Sequence, residues 1–248
     1  MMLMMNPATE HPIEWDDTKV ARLWDYYSRT PPYSDVYFSD RFGDQILRAS
    51  GLPLDQPLRA LDFGSGPGFI WDHMLRMGAR WKYTALDFSA ASVAKARLRA
   101  STHEQFAGAH HVTQLPTDLP AEHFDVVLLV EVVEHLQDAH LDSTLREANR
   151  LLRSGGVVVV STPNEEDLGA STRFCPECGA VFHEWQHVRV WSVDSLSTEM
   201  AKYGFKRKVA LTLDFRATTF LRKAAKTARR MMQGRRPEPH LVAAFLKK

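Results

Sequence analysis

Cysteine and long apolar segments are scarce in this chain. Its 248 residues include two cysteines, too few for the disulfide framework on which many small secreted domains depend. The longest apolar run, residues 124–130, is interrupted by Asp125, and the first twelve residues have neither the basic flank nor the apolar core of a signal peptide. We therefore expect a cytoplasmic protein that is not secreted and does not span a membrane.

Acidic residues are scarce near the C-terminus. Residues 205–248 contain 13 of the 31 lysines and arginines but only Asp214 and Glu238 as acids. Across residues 218–232, basic and apolar side chains would lie on opposite faces of a helix. Such a segment attracts anionic membrane surfaces, phosphate-bearing substrates or nucleic acid, although a basic helix can equally be a solvated face.

Apolar and β-branched stretches alternate with amphipathic ones through the middle of the chain. The predicted strands cover residues 58–63, 82–87, 124–130 and 156–162, and the predicted helices cover residues 69–78, 90–101 and 138–153. This alternation indicates crossover units and therefore an α/β fold with a doubly wound, mostly parallel sheet. Strands at 205–213 and 241–246 are expected to form its antiparallel edge.

The predicted elements divide the chain into four regions. Residues 1–50 are expected to form a helical cap, with helices at 17–28 and 39–50. Residues 51–215 form the ligand-binding core, which includes a substrate-side loop at 163–190. A basic amphipathic helix is inserted at 216–239, and residues 240–248 form the final edge strand.

The first predicted strand runs into the glycine-rich loop Asp62-Phe63-Gly64-Ser65-Gly66-Pro67-Gly68. Open α/β sheets bind ligands beyond the carboxyl ends of their strands, where glycines let backbone N–H groups approach the ligand. A dinucleotide site would need G-x-G-x-x-G, whereas this loop has G-x-G-x-G and begins with Asp62, whose carboxylate suits a cationic ligand. Asp87 ends the second strand, where its two oxygens can accept hydrogen bonds from both hydroxyls of a ribose.

Three ionisable residues interrupt an apolar context directly after the strand at 124–130: Glu131, Glu134 and His135. Burying them without partners would be costly. At this spacing they can share one face of a helical turn and hold a divalent ion through oxygen and nitrogen ligands. Without an ion, His135 can act as a general base or orient the loop, and the residues alone leave both possibilities open.

A second candidate metal site lies in the segment Cys175-x2-Cys178-Gly179-x3-His183-x3-His187. The C-x-x-C-G turn is typical of a small zinc knuckle. If His187 serves the first ion, zinc keeps Cys175, Cys178 and His183 and is one ligand short. Two unliganded cysteines in a turn are the alternative, whereas a redox role lacks a thioredoxin-like context.

The chain resembles the class I S-adenosylmethionine-dependent methyltransferases over residues 39–213. The resemblance rests on Asp62 to Gly68, on Asp87, on Phe124-Asp125-Val126-Val127, and on the turn Leu151-Leu152-Arg153-Ser154-Gly155-Gly156. It implies a Rossmann-like fold with a sheet of seven strands. It also implies a cofactor site made of Arg41, Asp62, Gly64, Ser65, Gly66, Gly68, Asp87, Phe88 and Val130. The residue that contacts the adenine stays open, because His110-His111-Val112-Thr113 stands where the family usually has an acid or an amide.

The E-x-x-E-H motif is similar to that of two magnesium-dependent groups, the ubiquinone-biosynthesis O-methyltransferases and the small-RNA 3′-terminal O-methyltransferases. The resemblance implies that Mg²⁺ is held by Glu131, Glu134, His135 and His187, the last lying four residues before Trp191. Glu131, Glu134 and His135 are then the candidate catalytic residues. Arg41 matches an arginine of the ubiquinone enzymes that contacts the cofactor.

We therefore expect O-methylation of a sugar or other vicinal diol, glycan- or lipid-linked and metal-assisted. One alternative is RNA 2′-O-methylation, which the basic C-terminal segment favours and the lack of a recognisable RNA-binding module opposes. Another is methylation of a small phenol or quinone in an apolar pocket formed by Trp24, Tyr26, Tyr27 and Tyr33. A cofactor-binding module without catalysis is a third, which intact Glu131, Glu134 and His135 disfavour.

Overall fold

The computed structural model describes residues 9–100, 102–216 and 238–248. The strands in these ranges are β1 (His11–Pro12), β2 (Arg59–Phe63), β3 (Lys82–Asp87), β4 (Phe106–His111), β5 (Phe124–Val130), β6 (Leu152–Pro163), β7 (Thr172–Phe174), β8 (Ala180–His183), β9 (Phe205–Leu213) and β10 (His240–Lys247). The α-helices are α1 (Asp17–Arg29), α2 (Phe38–Ala49), α3 (Phe69–Arg76), α4 (Ala90–Ala100), α5 (Asp138–Leu151) and α6 (Val193–Lys202).

Seven strands form the central sheet in the order β4-β3-β2-β5-β6-β10-β9. The first five run parallel, and β10 pairs antiparallel with both β6 and β9. Every residue of β5 except Asp125 is buried, as is typical of a parallel strand covered on both faces. After β2 the chain adds β3 and β4 on one side of the sheet, and it then returns to add β5 and β6 on the other side. The loops that follow β2 and β5 therefore meet at the carboxyl edge, where sheets of this kind bind ligands.

Helices cover both faces of the sheet. The apolar sides of α2, α3 and α4 pack on one face through residues such as Leu47, Ile70 and Val93. The opposite face is covered by α5 and α6, with Leu145 and Leu196 in the core. The predicted doubly wound, mostly parallel sheet with an antiparallel edge is confirmed.

The segment 163–190, predicted to be a loop, contains the short hairpin β7–β8. β8 also pairs in parallel with β1, which gives a second sheet of three strands. β7 has three residues, and all of them are exposed. A strand that buries neither face does not need alternating apolar and polar residues, so the sequence carries no signal for it. Trp24 of α1 packs against His135, which follows β5.

The predicted basic helix at 218–232 lies outside the described residues, as does most of the insertion at 216–239. Among residues 9–100, 102–216 and 238–248, no helix has the length and apolar character needed to cross a membrane.

Candidate active site

The glycine-rich loop connects β2 to α3 in a conformation that needs glycine. Gly64, Gly66 and Gly68 have φ angles of 81°, 52° and 83°, in the left-handed region that side chains disfavour. A Cβ atom at Gly64 would lie 2.6 Å from Cγ2 of Val132, inside the E-x-x-E-H segment. The predicted cofactor loop is therefore in direct contact with the predicted catalytic turn.

Asp87 ties this loop to the end of β3. Its Oδ2 accepts a hydrogen bond of 2.8 Å from the backbone N–H of Gly66, and its Oδ1 accepts one of 2.8 Å from that of Ser89. Burial raises the pKa of the carboxyl, and the two N–H donors oppose the rise. Each carboxylate oxygen has a further lone pair, so the ribose-binding role of Asp87 stays a prediction that the geometry permits.

Asp62 is almost completely buried, with 1% of its surface exposed. Its Oδ2 accepts a hydrogen bond of 2.6 Å from the hydroxyl of Tyr83, whereas its Oδ1 has no hydrogen-bond partner among the described residues. Burial raises the pKa of this carboxyl to about 7, although the Tyr83 hydroxyl opposes the rise. A buried carboxylate with one free oxygen fits a cationic ligand group, as the sequence predicts.

Tyr37, which the sequence analysis missed, lies against the same loop. A Cβ atom at Gly66 would be 3.6 Å from Tyr37 Cε1, and the tyrosine ring lies 5.2 Å from that of Phe69. Burial, followed by the negative charge of Asp87, raises the pKa of Tyr37. Arg41 stands one turn further along and is exposed.

Phe88 and Val130 occupy contrasting positions at the carboxyl edge of the sheet. Phe88, directly after β3, exposes 53% of its surface, whereas Val130 at the end of β5 exposes 6%. Nε2 of His111 lies 2.9 Å from the carbonyl oxygen of Phe88. The cofactor contacts predicted for Arg41, Phe88 and Val130 stay predictions.

Glu131 begins the segment that follows β5 and adopts a φ of 54°, which is uncommon for a residue with a side chain. Its backbone N–H donates to the carbonyl of Ser161 at 3.0 Å, and its Oε1 accepts from the Ser161 hydroxyl at 2.7 Å. The predicted helical face does not form, because residues 132–135 make a tight turn closed by a hydrogen bond from His135 N to Val132 O. Burial raises the pKa of Glu131 to about 7.

Glu134 points into the interior from this turn, with 1% of its surface exposed. Oε2 accepts a hydrogen bond of 3.0 Å from the Thr162 hydroxyl, and Oε1 has no hydrogen-bond partner among the described residues. Burial first, and the charge of Glu131 second, hold the pKa of Glu134 well above its ordinary value. A positive charge bound beside Oε1 would stabilise the ionised carboxylate.

His135 lies between two aromatic neighbours. Its ring centroid is 5.0 Å from that of Trp24 and 4.8 Å from that of His187. Burial, reinforced by His187, lowers the pKa of His135 to about 3. The imidazole is therefore neutral near pH 7, and its Nδ1 has no partner among the described residues.

Two groups of potential metal ligands meet at His187. In each group the candidate ligand atoms lie within 4.8 Å of one another: Glu134, His135 and His187 form the first, and Glu166, His183 and His187 form the second. Three of the four predicted Mg²⁺ ligands are thus brought together, whereas Glu131 belongs to neither group. Sequence analysis missed Glu166, although its position just after β6, at the ligand edge, is a signal that could have indicated it.

The predicted zinc ligands Cys175, Cys178 and His183 are not brought together. The cysteines lie in the turn of the β7–β8 hairpin, where Cys175 N donates to Ala180 O at 2.8 Å. His183 is at the other end of β8 and faces Glu166 and His187, because three residues of extended strand separate it from the turn. Within the described ranges, neither cysteine belongs to a cluster of three potential ligands.

The sequence pattern of the methyltransferase-domain family matches residues 36–209, which is more than half of the chain. The chain belongs to this family. This confirms the predicted methyltransferase, and the seven-stranded sheet described above confirms its Rossmann-like fold.

Two curated relatives that share one name align with this chain over different shares of their length. A ubiquinone biosynthesis O-methyltransferase of Ruegeria pomeroyi is 36% identical over 170 residues, which are 62% of this chain and 66% of the relative. The ubiquinone biosynthesis O-methyltransferase of Bradyrhizobium sp. (strain ORS 278) is 37% identical over 107 residues, 43% of this chain and 40% of the relative. The chain therefore spans less than two thirds of the length of these curated relatives.

Among solved structures, the chain is similar to the 1,6-didemethyltoxoflavin-N1-methyltransferase of Burkholderia thailandensis with bound 1,6-didemethyltoxoflavin and S-adenosylhomocysteine. The TM-score is 0.60 at 17% identity, with 97% of this chain and 94% of the other covered. At this identity the likeness shows the fold.

Proposed function

We propose that the protein is an S-adenosylmethionine-dependent O-methyltransferase of a small-molecule acceptor. The observation that carries the proposal is the contact between Gly64 and Val132. It places the loop that would hold the cofactor against the turn that bears Glu134 and His135, so a methyl donor and an acceptor can meet between them. Holding two reactants in line can lower a barrier by about 7–11 kcal/mol.

When bound, the cofactor supplies a methyl group carried on a positively charged sulfur. The acceptor oxygen attacks the methyl carbon as the carbon–sulfur bond breaks. Asp62 has a buried Oδ1 that forms no hydrogen bond within the described part of the chain and that suits the cationic methionine portion. Asp87 offers free lone pairs to the ribose hydroxyls while its backbone partners hold it in place. Arg41, Ser65 and Phe88 are included in the proposed cofactor site because of the family resemblance.

The residues present fit a divalent ion. Glu134 Oε1 and His135 Nδ1 are buried without hydrogen-bond partners among the described residues, next to His187. These three side chains would hold the ion, with Glu131 nearby. The ion would lower the pKa of the acceptor hydroxyl, whose proton would pass to water, and it would stabilise the resulting phenolate.

The low pKa of His135 favours a ligand role over a base role. A base with a pKa of about 3 has little driving force to remove a hydroxyl proton near pH 7. Metal coordination, in contrast, needs the neutral imidazole, which is the form that burial favours. We therefore place His135 among the ion's ligands, and the general-base alternative is tested below.

For the acceptor we propose a small phenol or quinol with neighbouring oxygen atoms. A cluster of aromatic rings begins beside His135. Trp24 lies 5.0 Å from the imidazole and 5.9 Å from Tyr27, Tyr27 stacks on Tyr33 at 4.2 Å, and Trp185 lies 5.6 Å from both tyrosines. Such a wall suits a flat apolar ring. The names of the relatives favour the same class.

The other expected acceptors have less support. A glycan- or lipid-linked sugar finds none in the names of the relatives. Binding to nucleic acid or to an anionic membrane surface rests on the basic segment at 216–239, most of which lies outside the described residues. Glu134 Oε1 is buried and has no hydrogen-bond partner among the residues that the structure describes. This argues against a purely structural carboxylate and therefore against the non-catalytic alternative.

The test is methyl transfer from labelled S-adenosylmethionine to a panel of catechols, monophenols, sugars and RNA 3′ ends. Turnover of catechols alone supports the proposal, whereas turnover of sugars or RNA alone contradicts the acceptor class. Calorimetry with S-adenosylhomocysteine tests the cofactor site separately. Asp87→Ala should weaken binding by about 1.5–3 kcal/mol, and Asp118→Ala on an exposed loop serves as the control.

A further inference from the structure

We propose that Glu166 and His183 are positioning residues that hold His187 in the tautomer and orientation able to bind the divalent ion. This inference rests on the proposed function of the Glu134–His135–His187 group. Glu166 lies outside the sequence motifs, and His183 lies apart from the cysteines with which the zinc motif grouped it. Together with His187 they form the second group of potential metal ligands, which has to be distinguished from a second metal site.

His183 is not free to act as a metal ligand. Its Nδ1 accepts hydrogen bonds of 3.3 Å from the backbone N–H groups of Trp185 and His187. In a neutral imidazole only one nitrogen can accept, so the proton of His183 resides on Nε2. A nitrogen that carries a proton has no lone pair for a metal, and the second group is therefore not a metal site.

The Nε2–H of His183 faces Glu166. This nitrogen is buried, lies 3.6 Å from Glu166 Oε1, and forms no hydrogen bond among the described residues. The other carboxylate oxygen, Oε2, lies only 2.6 Å from Nδ1 of His187. One carboxylate thus faces two imidazoles, with the shorter contact to His187.

The contact to Glu166 determines which nitrogen of His187 remains available. A carboxylate accepts, so Nδ1 of His187 donates and Nε2 keeps its lone pair. Metal-bound histidines commonly donate their second N–H to a carboxylate in this way, and removal of such a partner typically lowers metal affinity about 10–100-fold. Glu166 therefore keeps the proton of His187 on Nδ1 and leaves Nε2 available to the ion.

Backbone carbonyls of the E-x-x-E-H turn hold the two neighbours of His187, whereas the His187 ring contacts Glu166, His183 and His135. Gln186 Nε2 donates to His135 O at 2.8 Å, and Val188 N donates to Glu134 O at 2.9 Å. These bonds flank His187 on both sides. The His187 ring itself stacks on His183 at 4.5 Å with an interplanar angle of 21°.

Histidine tautomers in the metal-free protein give the first test. In long-range ¹H–¹⁵N NMR spectra of histidine-labelled protein, we expect His187 protonated on Nδ1 and His183 on Nε2. Glu166→Ala should convert His187 to a mixture of tautomers, whereas Glu165→Ala, which removes the exposed neighbouring carboxylate, should not. An unchanged His187 signal in Glu166→Ala, or His183 protonated on Nδ1, overturns the proposal.

Manganese affinity gives the second test, measured by the paramagnetic resonance signal of free Mn²⁺. Glu166→Ala should weaken binding about 10–100-fold and Glu166→Gln less, because an amide oxygen still accepts. His183→Ala should also weaken binding at unchanged stoichiometry, while Glu165→Ala matches the wild type. S-adenosylhomocysteine affinity should be the same in all variants, which shows that each one folds.

The outcomes separate this inference from the proposed function. If the wild type binds Mn²⁺ and His187→Ala does not, equal affinity in Glu166→Ala and Glu165→Ala overturns the positioning role alone. If the wild type binds no Mn²⁺, the metal-assisted function and the positioning role both fall. Two ions per chain, with one lost in His183→Ala, would make His183 a ligand and overturn the tautomer assignment.

Discussion

The indole N–H of Trp24 donates a hydrogen bond of 3.0 Å to Oε1 of Gln186, whose amide in turn donates to the carbonyl of His135. Trp24 lies on α1, so this chain of two bonds joins the N-terminal cap to the candidate catalytic turn. Gln186 is completely buried. Helix α1 is thereby fixed beside the turn that bears Glu134 and His135.

Trp24→Phe should therefore destabilise the fold. It leaves the buried Oε1 of Gln186 without its donor, which costs about 1–3 kcal/mol. Urea unfolding monitored by circular dichroism measures the change. A free energy of unfolding that is the same in Trp24→Phe and in the wild type would contradict this account.

Gly64→Ala should abolish cofactor binding for two separable reasons. An alanine at φ 81° carries backbone strain, about 1–2 kcal/mol, and its Cβ would overlap Val132. Gly51→Ala is the matched control, since Gly51 has φ 66° with nothing within 4 Å of a Cβ atom.

Comparing the two variants isolates the overlap. We expect Gly51→Ala to lose stability with unchanged S-adenosylhomocysteine affinity, and Gly64→Ala to lose both. Val132→Ala in the Gly64→Ala background should restore part of the affinity measured by calorimetry. Equal affinities of Gly64→Ala and wild type for S-adenosylhomocysteine would show that the loop is not part of the cofactor site.

The sequence supports prediction of the sheet and of the loop after β2 because both depend on local patterns. Buried strands such as β5 are apolar except at Asp125, and the glycines mark a turn whose φ angles favour glycine. Glu166 and His187 are a different case, since they meet across 21 residues with no periodicity between them. The pairing of β1 with β8 likewise joins segments far apart in the chain.

The zinc prediction shows the same limit of local sequence patterns. The spacing of Cys175, Cys178 and His183 is compatible with a knuckle, yet hairpin geometry separates the thiols from the imidazole. His183 instead pairs with Glu166, a residue outside the motif. Spacing alone does not report which partner a side chain faces.

Asp62 should make stability depend on pH. Its pKa is raised from 3.8 to about 7 in the folded state, so between these values the folded protein holds a proton that the unfolded chain has released. Stability therefore falls as pH rises from about 4 to about 7. In Asp62→Asn this contribution is absent.

Urea unfolding of both proteins at several pH values measures the difference. The free energy of unfolding of the wild type, minus that of Asp62→Asn, should decrease across this window and level off above it. A difference that stays constant with pH would mean that Asp62 is ionised throughout.

Cys175 should react as a thiolate at lower pH than an ordinary cysteine. The backbone N–H groups of Cys178 and Glu177 lower the pKa of its thiol below the usual value of 9.0. The rate of alkylation by iodoacetamide, followed against pH by mass spectrometry, should have a midpoint below that of the urea-unfolded protein.

Added Zn²⁺ tests the remaining part of the zinc prediction. If the cysteine turn holds zinc, the ion should protect both thiols from alkylation, and His183→Ala should not change this protection, because His183 lies at the other end of β8. Loss of protection in His183→Ala would restore the ligand set predicted from the sequence.

The last prediction separates metal-assisted from metal-free transfer. If Glu134, His135 and His187 hold the ion, Ala substitution of each should reduce acceptor turnover far more than S-adenosylhomocysteine affinity, because the ion acts on the reacting oxygen. His140→Ala, which alters a half-exposed histidine on α5, is the control. Chelation should reproduce the variants, and Mg²⁺ or Mn²⁺ should restore activity, since carboxylate and imidazole ligands bind magnesium reversibly. Full activity in chelator combined with an inactive His135→Ala would instead make His135 a general base and leave Glu134 a structural residue.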